Sequence, residues 1–147
     1  YRQFTRTFLH FINFRKARAA AREYKDIMKI KTPNMNILVE TLSGGNQQKV
    51  VLAKALCRGG QIFIFCEPTA GIDVGTKVEV YQFMNELTKN GSAVVMVSYE
   101  LPEIMGMSDR IMVMYNGSIV GEFKKEDTTE EEILKYAFGH GEEQAVA

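Results

Sequence analysis

Four consecutive large apolar residues, Ile62-Phe63-Ile64-Phe65, stand between Gly59-Gly60 and Glu67-Pro68. A run this short, without polar alternation and bounded by turn formers, predicts a central strand buried on both faces. Such a strand cannot stand alone: it needs neighbours in a sheet and layers above and below. The residues that follow supply some of these. Thr76 to Lys89 carries Val80, Phe83, Met84 and Leu87 at helical spacing and stops at Asn90-Gly91, and Ala93 to Val97 is a second apolar strand. Strand, helix and strand in that order predict a parallel pair and an α/β fold, with ligands at the carboxyl ends of the strands. Glu67 and Ser98-Tyr99-Glu100 are therefore expected at one edge.

Upstream, residues 2–30 interleave Phe4, Phe8, Phe11, Ile12, Tyr24, Ile27 and Met28 with Arg15, Lys16, Arg18, Arg22 and Lys25. This predicts one or two helices, and the basic residues read as a solvated face. Thr32-Pro33-Asn34 opens a loop that runs to Leu42, because proline turns the preceding residue away from helix. Asn46 to Leu56, with Val50, Val51, Leu52, Ala53, Ala55 and Leu56, suits a buried helix that Arg58-Gly59-Gly60 closes. Downstream, Ile111–Tyr115 and Ser118–Phe123 flank Asn116-Gly117, a strong two-residue hairpin signal. Thr128 or Thr129 caps a last helix whose first turn is acidic, and the tail from Gly139 is expected to fray.

Composition narrows the function. The 147 residues suffice for one domain or part of one. Lys+Arg and Asp+Glu are each 18, so the chain has no net basic footprint for nucleic acid. No apolar run approaches the roughly 18 residues of a membrane span, and the N-terminal residues do not resemble a signal peptide. Cys57 and Cys66 form no zinc-type or disulfide pattern, which agrees with a reducing cytosolic setting.

The chemistry is concentrated in three places. In Leu42-Ser43-Gly44-Gly45-Asn46-Gln47-Gln48-Lys49, glycines allow close backbone approach, a serine adds a hydroxyl, and a helix N-terminus follows. All three features favour a phosphate. Cys66-Glu67-Pro68-Thr69 follows the first strand, and Ala70-Gly71-Ile72-Asp73 follows that. Val97-Ser98-Tyr99-Glu100-Leu101 ends the second strand.

The first of these resembles the signature motif of ATP-binding cassette proteins, in the form typical of sugar importers. The segments around Glu67, Asp73 and Tyr99 are similar to the family's Walker B strand, D-loop and switch segment, and the likeness runs from about Lys31 to Phe138. It implies a P-loop NTPase-like α/β cassette and, specifically, the C-terminal part of the second cassette of a sugar-import ATPase. Residues 1–56 would be helical subdomain and signature helix, 57–123 the Walker B, D-loop and switch strands, and 124–147 the last helix and tail. The resemblance implies that Ser43, Gly44, Gly45, Asn46 and Gln48 contact nucleotide across an interface, that Asp73 aligns two cassettes, and that Tyr99 stands where many cassettes have a histidine. Glu67 would polarise the attacking water. Cys66 occupies the position of an aspartate that helps hold magnesium, and a thiol is a poor ligand for so hard an ion.

The implied cofactors are ATP and magnesium, held mainly by residues outside this chain. The implied partners are a second cassette, membrane permease subunits and, indirectly, a sugar-binding protein, at the cytoplasmic face of the membrane, with no nucleic acid. No G-x-x-x-x-G-K-[ST] phosphate loop is present. That loop and the companion strands are expected before Tyr1, which is itself not a methionine. The chain therefore reads as a fragment unsuited to independent hydrolysis, whose sheet would expose an edge and an apolar face. Two other readings stay open: a degenerate, non-hydrolytic cassette acting as a regulatory module, and a DNA-repair or chromosome-maintenance cassette, against which the sugar-importer style of the signature argues.

Overall fold

The computed structural model describes residues 13–140, in two compact units divided between Val95 and Met96. Phe4, Phe8, Phe11 and Ile12 of the first expected helical stretch, and the tail from residue 141, lie outside the described residues.

The first unit opens with α1 (Phe14–Ile27), where the Asn13 side chain accepts a hydrogen bond from the Lys16 amide at 3.0 Å. The loop that Pro33 introduces closes with a short 3-10 turn at Val39–Thr41. Next, α2 (Gly44–Arg58) ends at Gly59, whose φ of 72° is the left-handed conformation that glycine accepts without steric penalty. The sequence predicted a buried helix with Val50, Val51, Leu52, Ala53, Ala55 and Leu56 as its apolar positions. Instead α2 buries one stripe, Gly45, Lys49, Leu52 and Ala53, and exposes Val51. An i, i+4, i+7, i+8 set is one face of a helix, so among the described residues α2 packs against a surface on one side only.

The strand β1 (Ile62–Cys66) pairs with β2 (Ala93–Val97) in a two-stranded sheet, and α3 (Val74–Lys89) connects them. Val80, Met84 and Leu87 of α3 are buried. Phe65 meets Phe83 edge-on, with ring centroids 6.2 Å apart. The expectation that β1 is buried on both faces is corrected: Phe63 and Phe65 are buried, whereas Ile62 and Ile64 are each 67% exposed. Among the described residues packing covers only the phenylalanine side, so the strand alternates despite its unbroken apolar sequence.

This asymmetry gives a prediction. Phe65→Ala should cost about 3–5 kcal/mol as a buried aromatic truncation, and Ile64→Ala within about 0.5 kcal/mol as an exposed change. Urea denaturation of the two variants checks it, and equal losses would show the isoleucine face to be covered in the protein measured.

In the second unit, α4 (Leu101–Met107) has Pro102 in its first turn, where a missing N–H costs nothing. The antiparallel pair β3 (Arg110–Tyr115) and β4 (Ser118–Lys124) turns at Asn116 and Gly117, with φ of 46° and 80°. Two successive positive φ values match the twist of a tight hairpin, as the Asn-Gly pair predicted. Val113 faces Gly121 while Met114 faces Ile119, leaving Val120 as the extra residue of a bulge. The last helix, α5 (Glu130–Ala137), is capped by Thr129, whose hydroxyl accepts from the Glu132 amide, and three glutamates fill its first turn. Ile111, Val113 and Ile133 form the core of this unit.

Candidate functional site

The phosphate-type motif lies where α2 and α3 begin. Gly45 fits against α3 with no room to spare: a Cβ there would stand 2.8 Å from Thr76 Oγ1 and 3.0 Å from its Cγ2. A Cβ on Gly44 would lie 3.4 Å from the Gly71 carbonyl oxygen. The two glycines thus let the start of α2 pack onto the Ala70–Asp73 loop and the first turn of α3. A polar cavity of about 410 Å³ opens at this contact, lined among others by Ser43, Asn46, Lys49, Asp73 and Thr76.

Ser43 is the N-cap residue of α2, yet its side chain makes no capping bond. Its Oγ instead accepts from Asn46 Nδ2 at 2.8 Å, and Asn46 Oδ1 accepts from the Lys31 amide at 2.8 Å. Asn13, Asp73 and Thr129 all cap their helices with side-chain oxygens. The first turn of α2 also contains no acidic residue. A helix N-terminus carries roughly half a positive charge and unpaired amides, so this one, exposed at Ser43 and Gly44, is set to receive an anion.

The start of α3 is neutralised differently. Asp73 Oδ1 accepts from the Thr76 amide at 3.0 Å, and Oδ2 accepts from the Thr76 hydroxyl at 2.8 Å. The hydroxyl bond, and then the amide bond, hold the Asp73 carboxyl below its ordinary value of 3.8. The folded state favours the ionised form, so the contribution of Asp73 to α3 is fully present above its ordinary value and is lost as pH falls through the lowered one. A side-chain NMR titration of Asp73 should give a midpoint below 3.8, and Thr76→Ala should move that midpoint upward; the same midpoint in both proteins would remove the hydroxyl as the cause.

Glu67 follows β1 half-buried, with φ of 48°. A non-glycine residue in this conformation costs about 1–2 kcal/mol, a strain characteristic of functional loops. The loop is anchored beyond it: Pro68 and Thr69 are fully buried, and Gln48 Nε2 donates to the Pro68 carbonyl at 2.7 Å. Cys66 is exposed at the strand end. Its thiol and the Glu67 carboxylate are not the hard-oxygen set that magnesium prefers, and among the described residues no three His, Cys, Asp or Glu side chains are grouped to hold a metal. The residues present do not fit that ion. Tyr99 belongs to the second unit and is 91% exposed.

Sequence reasoning missed Lys49. It is 6% exposed and forms an ion pair with Glu79 of α3. No local signal marks a lysine in mid-helix as buried, since its partner lies on another element. The capping role of Asp73 was missed as well: aspartate is a favoured N-cap residue, but the helix was expected from Thr76 and begins at Val74, directly after Asp73. A larger, mainly apolar cavity of about 560 Å³ lies between α1, α2 and the loop joining them, away from these polar groups.

No family model matches the chain. The xylose import ATP-binding protein XylG of Moorella thermoacetica is 55% identical over 116 residues, covering 79% of this chain and 23% of that protein. The ribose import ATP-binding protein RbsA of Oceanobacillus iheyensis is 54% identical over 112 residues, covering 76% of this chain and 23% of its own length. The chain thus spans about a quarter of the length of the curated relatives it matches. Among solved structures, a bacterial ABC transporter cassette in a dimeric structure superposes with a TM-score of 0.66 at 26% identity, over 76% of this chain and 48% of that one. A metal-chelate type ABC transporter in an inward-facing conformation gives 0.75 at 15% identity, over 94% and 54%, and bears on the fold alone. With more than half of the aligned residues identical to curated import ATP-binding proteins and the backbone of a solved cassette, the chain belongs to the ATP-binding cassette (ABC) family.

Proposed function

We propose that this chain supplies the signature half of a composite ATP site in an ABC-type sugar importer, as the C-terminal part of its second cassette. One observation carries the reading: the N-terminus of α2 is left uncapped by Ser43 and free of acidic residues, beside a second helix start that Asp73 neutralises. ATP held by the phosphate loop of another cassette would present its γ-phosphate to Ser43, Gly44, Gly45 and Asn46. Phosphoryl transfer to water needs positioning and stabilisation of charge rather than covalent chemistry, and amides fixed at a helix start provide both. Gln48 acts from behind, tying the signature helix to the loop after Glu67. The names of the relatives, xylose and ribose import ATP-binding proteins, support sugar import as the work coupled to hydrolysis.

Within this chain's own half-site, Glu67 is the candidate base that orients water, and Asp73 the residue that meets the other cassette. Permease subunits and, through them, a sugar-binding protein are the further partners, with the chain at the cytoplasmic membrane face. Among the described residues no helix is long and apolar enough to cross a membrane.

The exposed Cys66 in place of a carboxylate favours a second reading, in which this chain's own half does not hydrolyse and acts only as signature donor. The two separate by mutation in the assembled ATPase. Ser43→Arg should abolish turnover under both, and Glu67→Gln should be silent only under the second. Turnover unaffected by Ser43→Arg would overturn both.

A further inference from the structure

Lys49 and Glu79 bridge the two helices whose first turns form the site. Gly45 touches Thr76, and one turn further along each helix Lys49 pairs with Glu79. Two contacts that advance in the same sense mean that α2 and α3 run in the same direction from neighbouring N-termini. Like ends of helix dipoles repel. Asp73 offsets this at the start of α3, and no side chain of the first turn does so for α2. The lysine ammonium, with its side chain 8% exposed, points into this junction and is committed to a carboxylate whose own side chain is 45% exposed at the rim. Both residues line the polar cavity, and there the charge of Lys49 is offset by Glu79.

We infer that the Lys49–Glu79 pair is a strut that fixes the separation of the signature loop, Ser43–Gly45, from the Asp73 turn, so that both meet an incoming nucleotide face as one rigid surface. Lys49 and Glu79 are positioning residues. The inference rests on the composite-site reading above. It has a kinetic mark that a purely stabilising pair lacks: the nucleotide is bound mostly by the other cassette, so disturbing the strut should lower kcat and leave KM alone.

In the assembled ATPase, Glu79→Gln should reduce kcat about tenfold with KM for ATP within about twofold of wild type. Glu79→Asp, which keeps the charge, should restore most of the rate. If Glu79→Gln melts early, the double Lys49→Met/Glu79→Met variant, which leaves no buried cation unpaired, should show the same loss of kcat. Wild-type kcat in a folded variant without the pair, or a raised KM at unchanged kcat, overturns the strut. Ser43→Arg in the same assay separates the failures: if it is inactive while Glu79→Gln runs at full rate, only the strut is lost; if it is active, the composite site itself is.

Discussion

Ser43→Arg is expected to lower ATP turnover of the assembled ATPase by at least about 100-fold, the usual effect of losing one preorganised donor to a developing anion. The substitution removes the hydroxyl and the acceptor that orients Asn46, whose other side-chain atom holds the Lys31 amide. It also extends a long side chain into the space an incoming γ-phosphate would need. Folding should survive, since Ser43 is exposed and does not cap α2 through its side chain. The decisive comparison is turnover against thermal melting: lost turnover with an unchanged melting temperature assigns the effect to the site. Lost stability of similar extent would assign it to the loop.

Gly45→Ala should show the opposite balance, a change in packing that then reaches the site. Alanine gains at most about 1 kcal/mol over glycine in helix propensity, and less in a first turn. Against that, a methyl group 2.8 Å from Thr76 Oγ1 must displace a side chain whose hydroxyl already donates to Asp73 Oδ2. Forcing one methyl into such a contact costs about 1–3 kcal/mol, so packing wins and the variant is destabilised. Gly106, with open space around it in α4, serves as a control: Gly106→Ala should be neutral or stabilising by up to about 1 kcal/mol. Thr76→Ala in the Gly45→Ala background should recover part of the loss, and a double-mutant cycle measures the coupling. Additive effects would mean that Gly45 is required for some other reason.

Much of the architecture was legible beforehand because its signals are local. Ala93–Val97 was predicted to the residue, the Asn116-Gly117 turn took the two positive φ values its residues permit, and Gly59 and Gly91 ended their helices. The helix that follows Ser43-Gly44-Gly45 was readable for the same reason, since its start is set by the backbone these residues form. The errors lay where burial was inferred from composition. Val51 and Ile64 are apolar members of apolar runs, and both are exposed. Hydrophobicity states what a residue prefers, whereas burial needs a partner surface.

The sequence by itself determined the periodicities, the turn chemistry, the family resemblance and the residue types able to meet a phosphate, because each depends on neighbours within a few positions. Only the tertiary structure decided that Gln48 reaches Pro68 and that Lys49 is buried against Glu79. These depend on where two helices and a loop distant in the chain come together, and a single pattern of residues does not encode which of several chemically suitable partners the packing brings within reach.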